Sequence, residues 1–143
     1  MSSDDKNRLQ GAGVEEGSIR YFGTWKTGGG RRYTGSAYSC CYFTFYGGTV
    51  QAYAISGPDK GICTIFLDGE YRATVDCYGE QEDRICIFET SGLPGSAPHN
   101  LVVAAGREKN EGSRGTTLEI AGFAAEAPLD YPGELKRRMN TEY

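Results

Sequence analysis

The chain has 143 residues, with 19 Asp and Glu against 15 Lys and Arg, 21 Gly and 10 Tyr. Its net charge of -4 excludes the basic face that nucleic-acid binding needs, and no run of about 18 apolar residues is present to cross a membrane as a helix. One domain of this length buries a full core without staples, and abundant Gly and Tyr beside 2 Met and 1 Trp fit an all-β chain with many tight turns.

In chain order, Met1 to Gly17 is polar and charged and reads as a flexible leader without the apolar centre of a signal peptide. Ser18 to Phe22 is expected to be a first strand, and Trp25 to Gly35 a loop around Gly28-Gly29-Gly30. Tyr38 to Phe45 alternates, with Cys41, Phe43 and Phe45 on one face. Gly47-Gly48 is expected to turn that strand into Thr49 to Ser56. The clearest local signal follows. Asp68-Gly69 separates two β-rich runs, and a type I′ turn needs positive φ at both of its central residues. Strands are therefore expected near 61–67 and 70–77. Arg84 to Glu89, His99 to Ala105 and Thr116 to Phe123 complete an all-β, two-sheet antiparallel jelly-roll sandwich of about eight strands. The expected boundaries are a leader over 1–17, the sandwich over 18–125, and a linker or short C-terminal helix over 126–143, where Pro128, Pro132 and Gly133 interrupt structure.

Cys40, Cys41, Cys63, Cys77 and Cys86 lack metal-ligand spacing. They read as reduced core thiols, with a disulfide between strand neighbours as the alternative. His99, the only histidine, follows Pro98 at a strand start and reads as structural; Asp59 sits in a Gly-Pro-Asp-Lys-Gly turn and reads as turn-forming. No Gly-x-Ser-x-Gly nucleophile elbow is present.

Several segments together carry a resemblance. They are Ile19 to Trp25, Phe43 to Val50, Gly57 to Asp76, Phe88 to Pro94 and His99 to Val103. In order and spacing the chain from Ser18 to Phe123 resembles galactose-binding-like jelly-roll modules, the non-catalytic β-sandwiches appended to bacterial glycoside hydrolases and esterases. The resemblance implies carbohydrate binding with no chemistry of its own, through loops at one end of the sandwich. It implies no cofactor beyond a structural calcium in some cases, and neighbouring domains in a longer parent chain. Such a parent is extracellular or at the cell surface; a chain complete as it stands would be cytoplasmic.

Sugar recognition needs a flat apolar surface for pyranose C–H groups and planar hydrogen-bonding groups for hydroxyls. Three loops have that composition, and they supply the candidate ligand-binding residues Trp25, Arg32, Tyr33, Tyr78, Arg107 and Asn110. Trp25 has a competing role in sealing the sandwich edge. Asp76, Glu82, Asp83 and Glu89 are the oxygen ligands available to a calcium. The alternative function is a structural or protein-interaction spacer, marked by an apolar surface patch. A small glycan hydrolase would instead need a cleft with paired carboxylates.

Overall fold

The computed structural model describes residues 9–129, which contain ten strands and no helix. They are β1 (Gln10–Ala12), β2 (Ile19–Phe22), β3 (Lys26–Gly28), β4 (Arg31–Thr34), β5 (Cys40–Ser56), β6 (Ile62–Leu67), β7 (Glu70–Asp76), β8 (Asp83–Thr90), β9 (His99–Ala105) and β10 (Leu118–Pro128). Every strand pairing is antiparallel. The expected all-β jelly-roll sandwich is the architecture observed.

The 17-residue strand β5 organises it. Its first half, Cys40 to Phe45, pairs with β2 and with β9. Its second half, Val50 to Ser56, pairs with β10 and β8. The first layer is thus β2-β5-β9-β6-β7, and the second is β3-β4-β10-β5-β8 with β1 on β10. Gly47-Gly48 is not the hairpin turn expected from the sequence. The two halves of β5 never pair with each other, and Gly47 bends one continuous strand from layer to layer at φ 118°. A Cβ there would also come within 2.8 Å of the Glu126 side chain. The inward positions change phase at the bend, from Cys41, Phe43 and Phe45 to Val50, Ala52 and Ala54, all fully buried. Phe43 stacks on Phe123 of β10 with centroids 4.7 Å apart, joining the two layers through the core.

The Asp68-Gly69 turn is as expected, with φ of 53° and 85°. A second hairpin was not anticipated. Gly29 and Gly30, both at positive φ, join β3 to β4 where the sequence suggested only a loop. Two expected boundaries also move. Residues 10–17 belong to the fold rather than to a leader, because β1 extends the β10 edge and buries Ala12, with Val14 and Ser18 buried behind it. At the other end β10 runs past 125 to Pro128, and Leu129 donates its N–H to the Thr44 carbonyl at 2.9 Å. The expected linker or helix beyond lies outside the described residues.

The five cysteines are free thiols. Cys41, Cys63 and Cys77 are buried core residues, whereas Cys86 is exposed. The hydrogen bond that the Cys63 thiol donates to Cys77, together with burial, pushes the Cys63 pKa far up and keeps it protonated.

Candidate functional site

Strand alternation decides where the candidate residues go, because neighbours in a strand point to opposite faces. In β4, Arg32 turns inward and Arg31 and Tyr33 turn outward. The Arg32 guanidinium lies over the Tyr21 ring at 4.5 Å, and its Nη2 reaches Glu15 at 3.5 Å. Trp25 meets the other side of this group, its ring 4.9 Å from Tyr21 and its Nε1 donating to the Phe22 carbonyl at 2.9 Å. Trp25 and Arg32 therefore seal the open edge of the sandwich. Both remain only half-buried there.

Tyr78 and Asn110 do come together, at the end of the sandwich where the 57–61, 77–82 and 106–117 connections meet. Asn110 donates Nδ2 to Asp76 Oδ2 at 2.9 Å, and Asp76 Oδ1 accepts the Tyr78 N–H at 3.0 Å. Asn110 Oδ1 accepts the Gly112 N–H at 2.9 Å. The buried Ser113 hydroxyl donates to the Lys60 carbonyl at 2.7 Å. These polar groups are consumed in holding the loops to one another. Arg107 is exposed on the same connection. The carboxylates named for calcium do not converge: among the described residues no three His, Cys, Asp or Glu side chains group as metal ligands.

The outward face of the second layer holds a different arrangement. Arg31 makes a two-pronged ion pair with Glu119, Nη2 to Oε1 at 2.7 Å and Nε to Oε2 at 2.9 Å. The pairing with Glu119 drives the Arg31 pKa up, holding it fully charged. Glu119 is only 5% exposed, and its Oε1 lies 3.7 Å from Nζ of Lys60, itself 1% exposed and 2.8 Å from Asp59 Oδ1. That contact with Lys60 holds the Asp59 carboxyl below its usual range. Two strands further across, Arg84 of β8 lies 3.9 Å over the Tyr53 ring, and Arg31 lies 5.3 Å over Tyr33. Between the two guanidinium groups runs a groove of about 370 Å³ floored by Val14, Ile55 and Ala121. Tyr33 thus belongs to this face and supports Arg31, apart from Tyr78 and Asn110.

The outward face of the first layer is apolar. A groove of about 290 Å³ is lined by Tyr38, Cys40, Tyr42, Phe66, Val102 and Ala104, with Gly69 at its rim. Tyr38 is 73% exposed and adopts φ 71°, a left-handed conformation unusual for an aromatic residue. The Asp68-Gly69 turn at the rim is anchored by His99, whose Nδ1 lies 2.6 Å from Asp68 Oδ2 and Nε2 2.6 Å from the Pro94 carbonyl. The structural role expected for His99 is what the geometry shows.

No protein-family model matches the chain. A stretch of 117 residues, 77% of the chain, is 30% identical to an A type blood alpha-D-galactosamine galactosaminidase of Flavonifractor plautii, of which the chain spans only 10%. Among solved structures, the CBM36-1 domain of a multidomain xylanase from the hindgut metagenome of Trinervitermes trinervoides superposes with a TM-score of 0.58. That match covers 81% of this chain and 94% of the domain at 12% identity. A family two carbohydrate esterase from Cellvibrio japonicus gives 0.61 over 85% of this chain but 35% of the esterase, at 11% identity. The fold is that of a carbohydrate-binding module.

The second-layer groove sets an aliphatic floor between two ring-stacked guanidinium planes that present hydrogen-bond donors. Sequence reading missed Lys60, Tyr53, Arg84 and Glu119. Glu119 left one trace, as a lone acid within the apolar Leu118-Glu119-Ile120 run. A charge buried by pairing looks the same in sequence as one facing water.

Proposed function

We propose that this chain is a non-catalytic carbohydrate-binding module of a longer, extracellular or cell-surface glycan-active protein, and that it holds sugar in the second-layer groove. The single observation carrying this reading is the groove itself, an aliphatic floor between two ring-supported guanidinium groups. The likeness of the fold to carbohydrate-binding modules supports it. So does the name of the Flavonifractor plautii relative, which assigns that much longer protein to glycan chemistry. One shallow groove binds weakly. A Kd on the order of 0.1 mM, about 5.5 kcal/mol, suffices when a neighbouring enzyme domain gains local concentration from it.

The experiment is titration of oligosaccharides into wild type and into Ala121→Tyr, which fills the groove floor. Wild type should bind at sub-millimolar to millimolar concentrations and Ala121→Tyr should not. Silence of wild type toward a broad oligosaccharide panel at millimolar ligand would remove the proposal.

A specific observation favours a second role, the interaction spacer weighed above. Phe22, Tyr38 and Tyr71 expose 47%, 73% and 60% of their surface on or beside the first-layer face. We propose that this face packs on an adjoining domain. Hydrogen exchange in β2 and β9 should slow when the neighbours are attached; unchanged exchange would dismiss the contact.

A further inference from the structure

We infer that the sugar held in the second-layer groove bears a carboxylate, and that Arg84 is the residue that reads it. This inference rests on the glycan-binding reading and adds the chemical class of the ligand.

The observation behind it is an imbalance among the charges of one face. Arg31 is matched by Glu119 through both carboxylate oxygens. Lys60 is matched by Asp59 at 2.8 Å and shares Glu119 at 3.7 Å. Arg84 stands apart. Among the described residues its guanidinium makes no ion pair, although the backbone N–H of the same residue donates to Asp83 Oδ1 at 2.9 Å. Its flat face is covered by Tyr53 at 3.9 Å, and the residue lines the groove. Glu119, the acidic residue in the groove lining, is already spent on Arg31 and Lys60 and cannot serve Arg84 as well.

Guanidinium chemistry then selects the ligand. A guanidinium stacked on a ring has its plane fixed and its N–H edges left for an acceptor, and the acceptor matching that fork is a planar carboxylate. Arg31 and Arg84 stand on strands three spacings apart, about 14 Å between backbones at the usual interstrand distance. Side chains of this length reach inward from both walls, leaving room for a sugar ring over Ile55 and Ala121. A hexuronate lying there places its C–H surface on the aliphatic floor and its carboxylate at Arg84, with Arg31 left to meet hydroxyls.

The test uses the full chain, with oligogalacturonate and oligoglucuronate as acidic probes, their neutral counterparts, and a sulfated neutral oligosaccharide. Wild type should prefer the carboxylated chains over neutral ones by at least about tenfold, the scale of one charge-assisted hydrogen-bonded pair. That preference should shrink as salt rises from about 20 to about 300 mM. Arg84→Gln should lower affinity for the carboxylated chains to that for the neutral ones, and Arg84→Lys should retain only part of the preference. A preference unchanged in Arg84→Gln, or equal wild-type affinity for acidic and neutral chains, overturns the inference and leaves the glycan reading standing. An equal gain from sulfate assigns recognition to charge alone and overturns the carboxylate. Failure of every oligosaccharide to bind overturns both. Thermal melting of Arg84→Gln provides the control, since an exposed residue of this kind should leave the midpoint unchanged.

Discussion

The two outward faces of this sandwich are built by one rule and carry opposite contents. In each, every second residue of a strand points away from the core. The second layer places Arg31, Glu119 and Arg84 around an aliphatic strip, with rings beneath the cations. The first places Tyr38, Tyr42 and Phe66 around Val102 and Ala104, with rings at the surface. A ring's role is set by what lies on it. Tyr53 and Tyr33 position charged groups, whereas Tyr38 is itself on display. One face is thereby suited to a polar ligand of defined shape, and the other to apolar contact.

The contrast breaks most readily at Glu119. Glu119→Ala removes the acid shared by Arg31 and the buried Lys60, leaving an ammonium with Asp59 as its remaining partner. Stability should fall by about 3–5 kcal/mol, as when half of a buried ion pair is lost. Denaturant titration measures it, and a loss below about 1 kcal/mol would mean that the network does not hold the face together.

The next effect separates the faces by ligand. Ala121→Tyr should weaken oligosaccharide binding by tenfold or more, about 1.4 kcal/mol, while Tyr42→Ala and Tyr78→Ala should leave it within about twofold, within the spread of neutral surface changes. Calorimetric titration of the three variants decides this. A loss confined to Tyr42→Ala would move the sugar site to the apolar face.

A smaller effect concerns the rim of the apolar groove. Burial works against a charged imidazole at His99, but the hydrogen bonds to Asp68 and Pro94 outweigh it and raise the pKa above the ordinary histidine value. A group whose folded pKa is raised stabilises fully below the unfolded value, about 6.5 for histidine. That contribution is lost as pH rises through the folded value. The melting midpoint should therefore decline on that rise, and His99→Gln should flatten the profile. A profile that is identical in the variant would show that the pair does not anchor the turn.

The smallest effect is at Tyr38. Tyr38→Gly removes the cost of a left-handed aromatic residue, about 1 kcal/mol, against a slightly smaller entropic loss. The chain should be unchanged or stabilised by up to about 0.5 kcal/mol. A clear destabilisation in denaturant titration would mean that the ring is held by the fold rather than offered to a partner.

What could be read from sequence was local. Asp68-Gly69 declares its turn because two adjacent residues carry the whole conformational demand. The β4 alternation was equally local, yet the hairpin that creates it was missed, since a run of three glycines reads as a loop. The course of β5 was hidden because Gly47-Gly48 serves a bend as well as a turn, and only pairing with distant β10 and β8 distinguishes them. The leader was misjudged for a related reason: a polar segment carries few apolar residues, yet Ala12 and Val14 suffice to dock it. At the sandwich edge, Trp25 and Arg32 each pack on Tyr21, a shared partner that nothing in the local sequence announces. Lys60 and Glu119 are 59 positions apart in number, and nothing local announces that the Lys60 ammonium lies beside the carboxylate of Glu119.

The passage of β5 through both layers has a mechanical outcome. Both layers are built on halves of the same strand, so neither can survive as a half-molecule once the other melts. Damage to the charged surface and damage to the aromatic one should accordingly surface in the same single transition. A tether pulling on either side of this module loads a common spine.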